Sequence, residues 1–452
     1  MGKRVVRGAQ ISKVSMVGLA VGFLCLLFVN TWTCRMVHAG TDTGRDPLID
    51  VLIKKGILTE QEAEDIRKEV KAMEKQQEEA LVKKIKNEKP VLPEALKGFR
   101  VEVLAYLDYS NGKEAESGDT ESSFNKFRLT RGYLTVKKEI RPWIRARMTI
   151  DTHQDTDGDY KERLKYLYAE LRPPDLGFLT GIKSEIGLGH IPWLDFEEHV
   201  NPYRCQGTMA IERAGTFNSA DTGVSLRGDF GGKLKDAKER TGNHHYDGLY
   251  GSWHIGVYNG PGYHTKEQNN NKVIEGRLTW RPMPEILPGL QLSYLGVFGE
   301  GNTQASNGDY PDYSVNLAML SFEHPRAILT AQYFQTQGNA KGTWVDSNGN
   351  ALDTVGYSFF GKVTPPVLDE KLSLFGRYDH FDQDDDGTIG NNADYDMYIA
   401  GLAYDFYRGN LVLVSFETTD YGPDAGQKGS GPTANNALGD DHKVQAVLQI
   451  KF

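Results

Sequence analysis

From residue 98 onward, apolar and polar side chains alternate in short runs that recur at regular spacing. Between Ile144 and Asp151, the residues Ile144, Ala146, Met148 and Ile150 share one parity, while Arg145, Arg147, Thr149 and Asp151 share the other. Thr222, Val224, Leu226 and Phe230 likewise oppose Asp221, Ser225, Arg227 and Asp229. Ile274, Leu278 and Trp280 oppose Glu275, Arg277 and Thr279. At the end of the sequence, Val444, Ala446, Leu448, Ile450 and Phe452 oppose Lys443, Gln445, Gln449 and Lys451, with Val447 the one interruption. A strand points successive side chains to opposite faces, so each run predicts a strand with one apolar and one polar face.

Sixteen such segments are predicted, an even number: 98–110, 123–138, 143–152, 160–171, 177–184, 220–230, 248–258, 272–281, 289–299, 312–323, 326–337, 353–363, 371–382, 394–406, 410–420 and 442–452. Their connections form two sets. One is tight and marked by Pro or Gly, as at Ile140-Arg141-Pro142, His324-Pro325 and Tyr407-Arg408-Gly409-Asn410, with the charged stretch 231–247 as its exception. The other is long and polar: 111–122, 153–159, 185–219, 259–271, 300–311, 338–352, 383–393 and 421–441. Short turns at one rim and long loops at the other are expected of a barrel with lipid outside and water inside. Polar inward faces on sixteen strands leave no dry core for a soluble sandwich, and a wet lumen removes that difficulty. The fold expected is all-β, a sixteen-stranded antiparallel transmembrane β-barrel with a short N-terminal periplasmic helical segment. The sharpest expectation is closure: 442–452 pairs with both 410–420 and 98–110.

Residues before 98 read differently. Lys3, Arg4, Arg7 and Lys13 precede an apolar core at Met16 to Val29, and Val37-His38-Ala39 is a small-residue cleavage site, so 1–39 is expected to be a signal peptide. Residues 40–97 are expected to be a periplasmic helical or coiled-coil segment, and 98–452 the outer-membrane barrel. Thr59 and Glu62 form a capping box for a helix through Glu60 to Asn87, ended by Pro90 and Pro93. Ile66, Val70, Met73, Gln77 and Ala80 follow the spacing of a short coiled-coil seam, and a solvated single helix fits the same residues.

Composition narrows the function. Of 452 residues, 49 are Gly and 22 are Tyr, which suits turns and interfacial aromatic belts. The leader carries five basic residues and no acid, so its removal moves the formal net charge from −9 to −14. That excludes a generally basic nucleic-acid binder. Only Cys205 remains after cleavage, so no intrachain disulfide is expected. No Gly-x-Ser-x-Gly elbow, phosphate-cradling Gly loop or zinc spacing is present, which argues against an enzyme, and no cofactor is implied.

Eight basic residues fall on inward parity: Arg128, Arg145, Arg147, Arg163, Lys165, Arg227, Arg277 and Arg377. Lining a pore, they attract anions by charge and forked hydrogen bonds. The competing reading pairs them with Asp151, Asp221, Asp229, Glu275 and Asp379 to brace the wall. Asp382, Asp384 and Asp386, followed by Gly387, match the start of a calcium loop, but Ala393 stands where a bidentate Glu is needed, so an acidic solvated loop is the plainer expectation. His190, His199, His244 and His245 lack metal spacing and are expected to be exposed loop histidines.

The chain resembles an outer-membrane porin, and most closely the phosphate-selective porins O and P. The likeness rests on the signal peptide, the segment Leu52-Ile53-Lys54-Lys55-Gly56-Ile57-Leu58-Thr59 and the strand Phe127-Arg128-Leu129-Thr130-Arg131-Gly132-Tyr133. The Arg/Asp-bearing third strand and Phe452 add to it. The resemblance implies a homotrimer, a pore narrowed by an inward-folded third outer loop, and Phe452 as the signal read by the barrel-assembly machinery. That loop is 185–219, carrying Arg204 and Arg213 among Glu197, Glu198 and further acids, and 300–311 has no base at all. Both depart from the basic loops of the phosphate-selective relatives, so phosphate specificity does not follow. The expected function is passive diffusion of small hydrophilic solutes across the bacterial outer membrane, with an anion bias. The alternatives are a barrel tethering that membrane to a periplasmic partner, or the sheath of a multi-protein electron conduit.

Overall fold

The computed structural model describes residues 47–87, 97–155 and 157–452; the signal-peptide expectation lies outside them. Two compact units divide at Lys97 and Gly98. In the first, α1 (Pro47–Lys54) and α2 (Glu60–Asn87) are helical. The Thr59 amide donates to Glu62 Oε2 at 2.9 Å and the Glu62 amide to Thr59 Oγ1 at 3.3 Å, which is the reciprocal capping box read from the sequence.

The second unit is a closed antiparallel barrel of sixteen strands. They are β1 (Phe99–Glu116), β2 (Thr120–Arg141), β3 (Ile144–Gln154), β4 (Tyr160–Leu171), β5 (Leu179–His190) and β6 (Ala220–Phe230). Next come β7 (Gly251–Tyr258), β8 (Val273–Trp280), β9 (Leu290–Glu300), β10 (Asp312–His324) and β11 (Ala327–Gln337). β12 (Asp353–Val363), β13 (Leu372–Asp382), β14 (Asp394–Tyr407), β15 (Asn410–Tyr421) and β16 (Asp441–Lys451) complete the circuit. Each strand pairs with its sequence neighbours, and β16 closes on β1 with Leu448 opposite Leu107 and Ile450 opposite Ala105. The Val103 amide donates to the Phe452 carbonyl at 2.8 Å, and the Phe452 amide returns to Val103 O at 3.1 Å. Closure leaves no unpaired strand edge, which a bilayer requires because lipid offers no hydrogen-bond partner.

The outer parity is apolar: Leu278, Trp280, Phe298, Leu329 and Phe359 are all exposed, as lipid-facing positions are. Three expectations change. The connection 111–122 is no long loop: β1 and β2 run on past the apolar belt and turn at Ser117–Asp119, with Gly118 at φ 79°. β5 extends to His190, so the third loop begins at Ile191. The inward faces are also not uniformly polar. On β9 and β10, Leu295, Val297, Val315, Leu317 and Met319 point inward and join one apolar cluster.

Two register shifts matter for the lumen. Opposite β1, Arg131 pairs with Tyr106 and Leu129 with Leu107, which leaves Thr130 as an extra residue in β2. Opposite β3, Tyr166 pairs with Thr149 and Leu164 with Ile150, which leaves Lys165 as an extra residue in β4. Each is a β-bulge, and each resets which residues face inward.

Candidate functional site

The connection from β5 to β6 starts at Ile191-Pro192, where Pro cannot continue the ladder. It holds α3 (Leu194–Val200) and α4 (Ala210–Ala214). Trp193, Leu194, Phe196, Met209 and Ile211 are buried and join the apolar cluster of the β9–β15 inner wall. The loop therefore folds into the barrel and fills one side of it.

Polar ties from several strands fix this position. Arg277 Nε donates to Pro192 O at 3.0 Å and Tyr258 OH to His190 O at 2.8 Å. Arg377 donates to Thr208 O at 2.7 Å, while Arg213 and Gln206 converge on Glu417 at 2.9 and 2.7 Å. From another loop, the Ala340 amide donates to Thr216 O at 2.9 Å. Gly215 ends α4 at φ 92°, and a Cβ there would meet the Gly429 backbone at 2.6 Å, so a close crossing of two loops requires glycine. From the opposite rim, residues 231–250 also turn inward: Asn243 donates to His199 O at 2.9 Å, and Tyr246 packs edge-on against Phe196.

The four loop residues singled out from the sequence divide into pairs. Arg213 and Glu197 are buried ties, Glu197 Oε2 accepting from Trp193 Nε1 at 2.7 Å. Burial pushes the Glu197 carboxyl up to about 8, against the nearby Arg377. Glu198 and Arg204 instead border the open side, bridged to each other at 2.8 Å, and Arg204 also reaches Glu212 at 3.3 Å. Burial raises Glu198, but Arg204, then Arg131 and Lys165, outweigh it and leave the carboxyl lowered. The loop's acids thus face the basic wall of β2 and β4. Cys205 is buried, and desolvation pushes its thiol up to about 12.

The space that remains opens at the short-turn rim, between the β1–β3 wall on one side and the ends of β12–β16, at Lys362, Ser373, Leu411 and Gln449, on the other. A cavity of about 920 Å³ reaches from the short-turn rim at Tyr407 and Arg408 to Glu198 and Arg204, past Tyr106, Tyr133 and Arg147. All eight predicted basic residues face inward, with different partners. Arg128 meets Asp108 at 3.4 Å, Arg145 meets Glu139 at 2.7 Å and Arg163 meets Asp151 at 2.9 Å. Arg227 meets Glu185 at 2.6 Å, and Arg377 pairs with Asp379 at 2.5 Å. Of the partners expected from sequence, Asp151 and Asp379 serve. Asp221 caps backbone amides, Asp229 pairs with Lys233, and Glu275 has no ion pair among the described residues. Arg277 is buried over Phe196, tied to Pro192 O, Ser252 and Thr279.

Arg147 and Lys165 have no carboxylate within 4.0 Å among the described residues, and neither does Arg131, which sequence reasoning missed. Plain alternation from Arg128 turns Arg131 outward; the bulge at Thr130 turns it inward. Arg131 lies 4.6 Å from the Tyr133 ring centroid, and Arg147 4.4 Å from that of Tyr166. Lys165 is 3% exposed, donates to Ser219 Oγ at 2.7 Å and lies 5.0 to 5.5 Å from Tyr133, Tyr263 and Tyr166.

The histidine expectation is corrected at His190, which is 2% exposed and bonded to Glu185 at 2.8 Å, because β5 carries it into the wall. His199 is half-buried, its ring tilted by 42° against that of exposed His245. At the acidic loop, Asp384 accepts the amides of Thr388, Ile389 and Gly390, and Asp382 accepts that of Asp384. Asp386 lies apart, exposed. The grouping of metal-type ligands among the described residues is His380, Asp394 and Asp396, within 4.8 Å of one another and joined by a 2.9 Å hydrogen bond.

No family model matches the chain, and no curated protein matches its sequence. Solved structures do match. An anion-selective porin from Comamonas acidovorans superposes with a TM-score of 0.54 at 12% identity, covering 78% of this chain and 100% of that one. OmpF of Salmonella typhi, in complex with daunomycin, gives 0.52 at 11% identity, covering 78% and 97%. At such identity the likeness carries the fold: this is a sixteen-strand barrel of the outer-membrane porin type.

Proposed function

We propose that the protein is a bacterial outer-membrane diffusion channel whose open path follows the β2–β4 wall and favours small anions. The observation that carries the reading is the set Arg131, Arg147 and Lys165, lumen-facing and without carboxylate partners at bonding distance among the described residues. In a narrow low-dielectric passage, uncompensated positive charge attracts anions and repels cations. Arg128 and Arg163 extend the track toward the long-loop rim and Arg145 toward the short-turn rim, each weakened by its own acid. That one structural neighbour is itself described as anion-selective supports this reading. Arg204 and Arg213 are both committed to ion pairs, so a phosphate-gathering loop forms no part of it.

The remaining assignments belong to the same proposal. Residues 1–39 are an export signal removed after Ala39, 40–97 a periplasmic helical segment, and 98–452 the membrane-embedded barrel. Assembly proceeds through the barrel-assembly machinery, Phe452 serving as its signal, and the working unit is a homotrimer. The mature N-terminus should begin at Gly40 by sequencing. Purified protein in a planar bilayer should give discrete conductance steps; a folded barrel that conducts nothing would overturn the channel reading.

A further inference from the structure

Apart from Arg277, which is buried over Phe196, the lumen cations described above are held in two chemically distinct ways, and only one leaves their charge available. Arg128, Arg145, Arg163, Arg227 and Arg377 are held by carboxylates, which cancel the charge they position. Arg131, Arg147 and Lys165 lie over aromatic rings, which position a cation through their quadrupole and carry no net charge, and Arg147 is steadied further by Thr149 Oγ1 and His190 Nε2, each at 3.1 Å. We propose that Tyr133, Tyr166 and Tyr263 are selectivity-setting positioning residues, holding Arg131, Arg147 and Lys165 on the β2–β4 wall clear of any bonded carboxylate.

This rests on the channel reading and adds to it. Long basic side chains in a wet pore ordinarily swing toward the nearest carboxylate. Here Glu198 and Glu212 of the inward loop face the wall, and both bond the single guanidinium of Arg204, at 2.8 and 3.3 Å, and not the wall cations. Lys165 sits among three tyrosine rings at 5.0, 5.1 and 5.5 Å, with Ser219 Oγ its one hydrogen-bond acceptor among the described residues. Both β-bulges serve this arrangement. The one at Thr130 turns Arg131 inward, and the one at Lys165 lets Lys165 and Tyr166 face the lumen in succession. Tyr263 comes from the β7–β8 connection, anchored by its amide to Ala220 O at 3.0 Å, so the wall and a loop share the task.

The test separates ring from hydroxyl. Reversal potentials under a KCl gradient are measured for the full mature protein and for Tyr133→Leu, Tyr166→Leu and the matching Phe variants. Each Leu variant should lower the anion-to-cation permeability ratio roughly two-fold or more, while each Phe variant, keeping the ring face, stays near the parent. Tyr263→Leu lies outside the strands and keeps the test open where a wall substitution blocks barrel formation. Conductance with unchanged selectivity in the Leu variants, or equal loss in Leu and Phe variants, overturns this assignment alone. A parent protein that does not conduct overturns the channel reading and this assignment with it.

Discussion

The two sides of the barrel's interior obey different rules. Along β9–β15 the inner wall carries an apolar cluster, Leu295, Leu317, Phe334, Met397 and Leu413 among them, interleaved with buried polar residues such as Arg377 and Glu417, and the loop carrying Trp193, Phe196 and Met209 packs on that cluster as a protein core packs. Along β2–β4 the inner wall carries Arg128, Arg131, Arg147, Arg163 and Lys165 with tyrosines between them, and open space adjoins it at Tyr133, Thr135 and Arg147. The connections at the long-loop rim follow the same division. Tight turns at Ser117–Asp119 and 155–159 border the basic side. The loop from β11 to β12 places buried Trp344 in the apolar cluster, and Gln383, just past β13, bonds to Gly426 and Ser430 of the β15–β16 loop. One side is built to be rigid, the other to be wet. A porin-type barrel thus gains a dry core without giving up a path.

The largest effects should come from the dry side. Trp193→Ala empties a fully buried site and should destabilise the folded barrel by about 3–5 kcal/mol. Undocking of the loop should also raise single-channel conductance, and unchanged conductance would show that the loop does not limit the path. Glu417→Ala should be nearly as severe, about 3 kcal/mol, because Arg213 would be left buried without its partner. Equilibrium unfolding in denaturant reads both.

A smaller, pH-linked effect belongs to Glu197. Its folded value near 8 lies above the ordinary carboxyl value of 4.5, so the folded state holds a proton that the unfolded state releases. Stability is therefore highest below about pH 4.5 and falls as pH rises toward about 8, from this group alone. Glu197→Gln should flatten that window, and a variant with the parent's slope would refute the assignment. The smallest effect is at Cys205. Its buried, protonated thiol should resist thiol reagents at neutral pH until the barrel is unfolded; rapid labelling of the folded protein would place it in the open path.

The division between the sides was only partly legible in the sequence. Alternation located all sixteen strands because lipid on one face and polar lumen on the other impose a period of two. The dry side had a signal that alternation hides: Val315 to Leu320 and Leu411 to Val414 are nearly unbroken apolar runs, the pattern of strands buried on both faces. The far end of the β1–β2 hairpin reads as a loop in the sequence because beyond the bilayer both strand faces are polar, as a loop is. Arg131 could not be reached at all. Its inward turn depends on a bulge set by pairing with β1, and nothing local to Leu129-Thr130-Arg131 announces it.

Selectivity in this barrel depends on where the charge lies. Reversal potential under a KCl gradient should show anion preference in the parent protein, and Arg131→Glu combined with Lys165→Glu should reverse its sign while the barrel still forms. Cation preference in the parent, or a reversal potential indifferent to both substitutions, would contradict it.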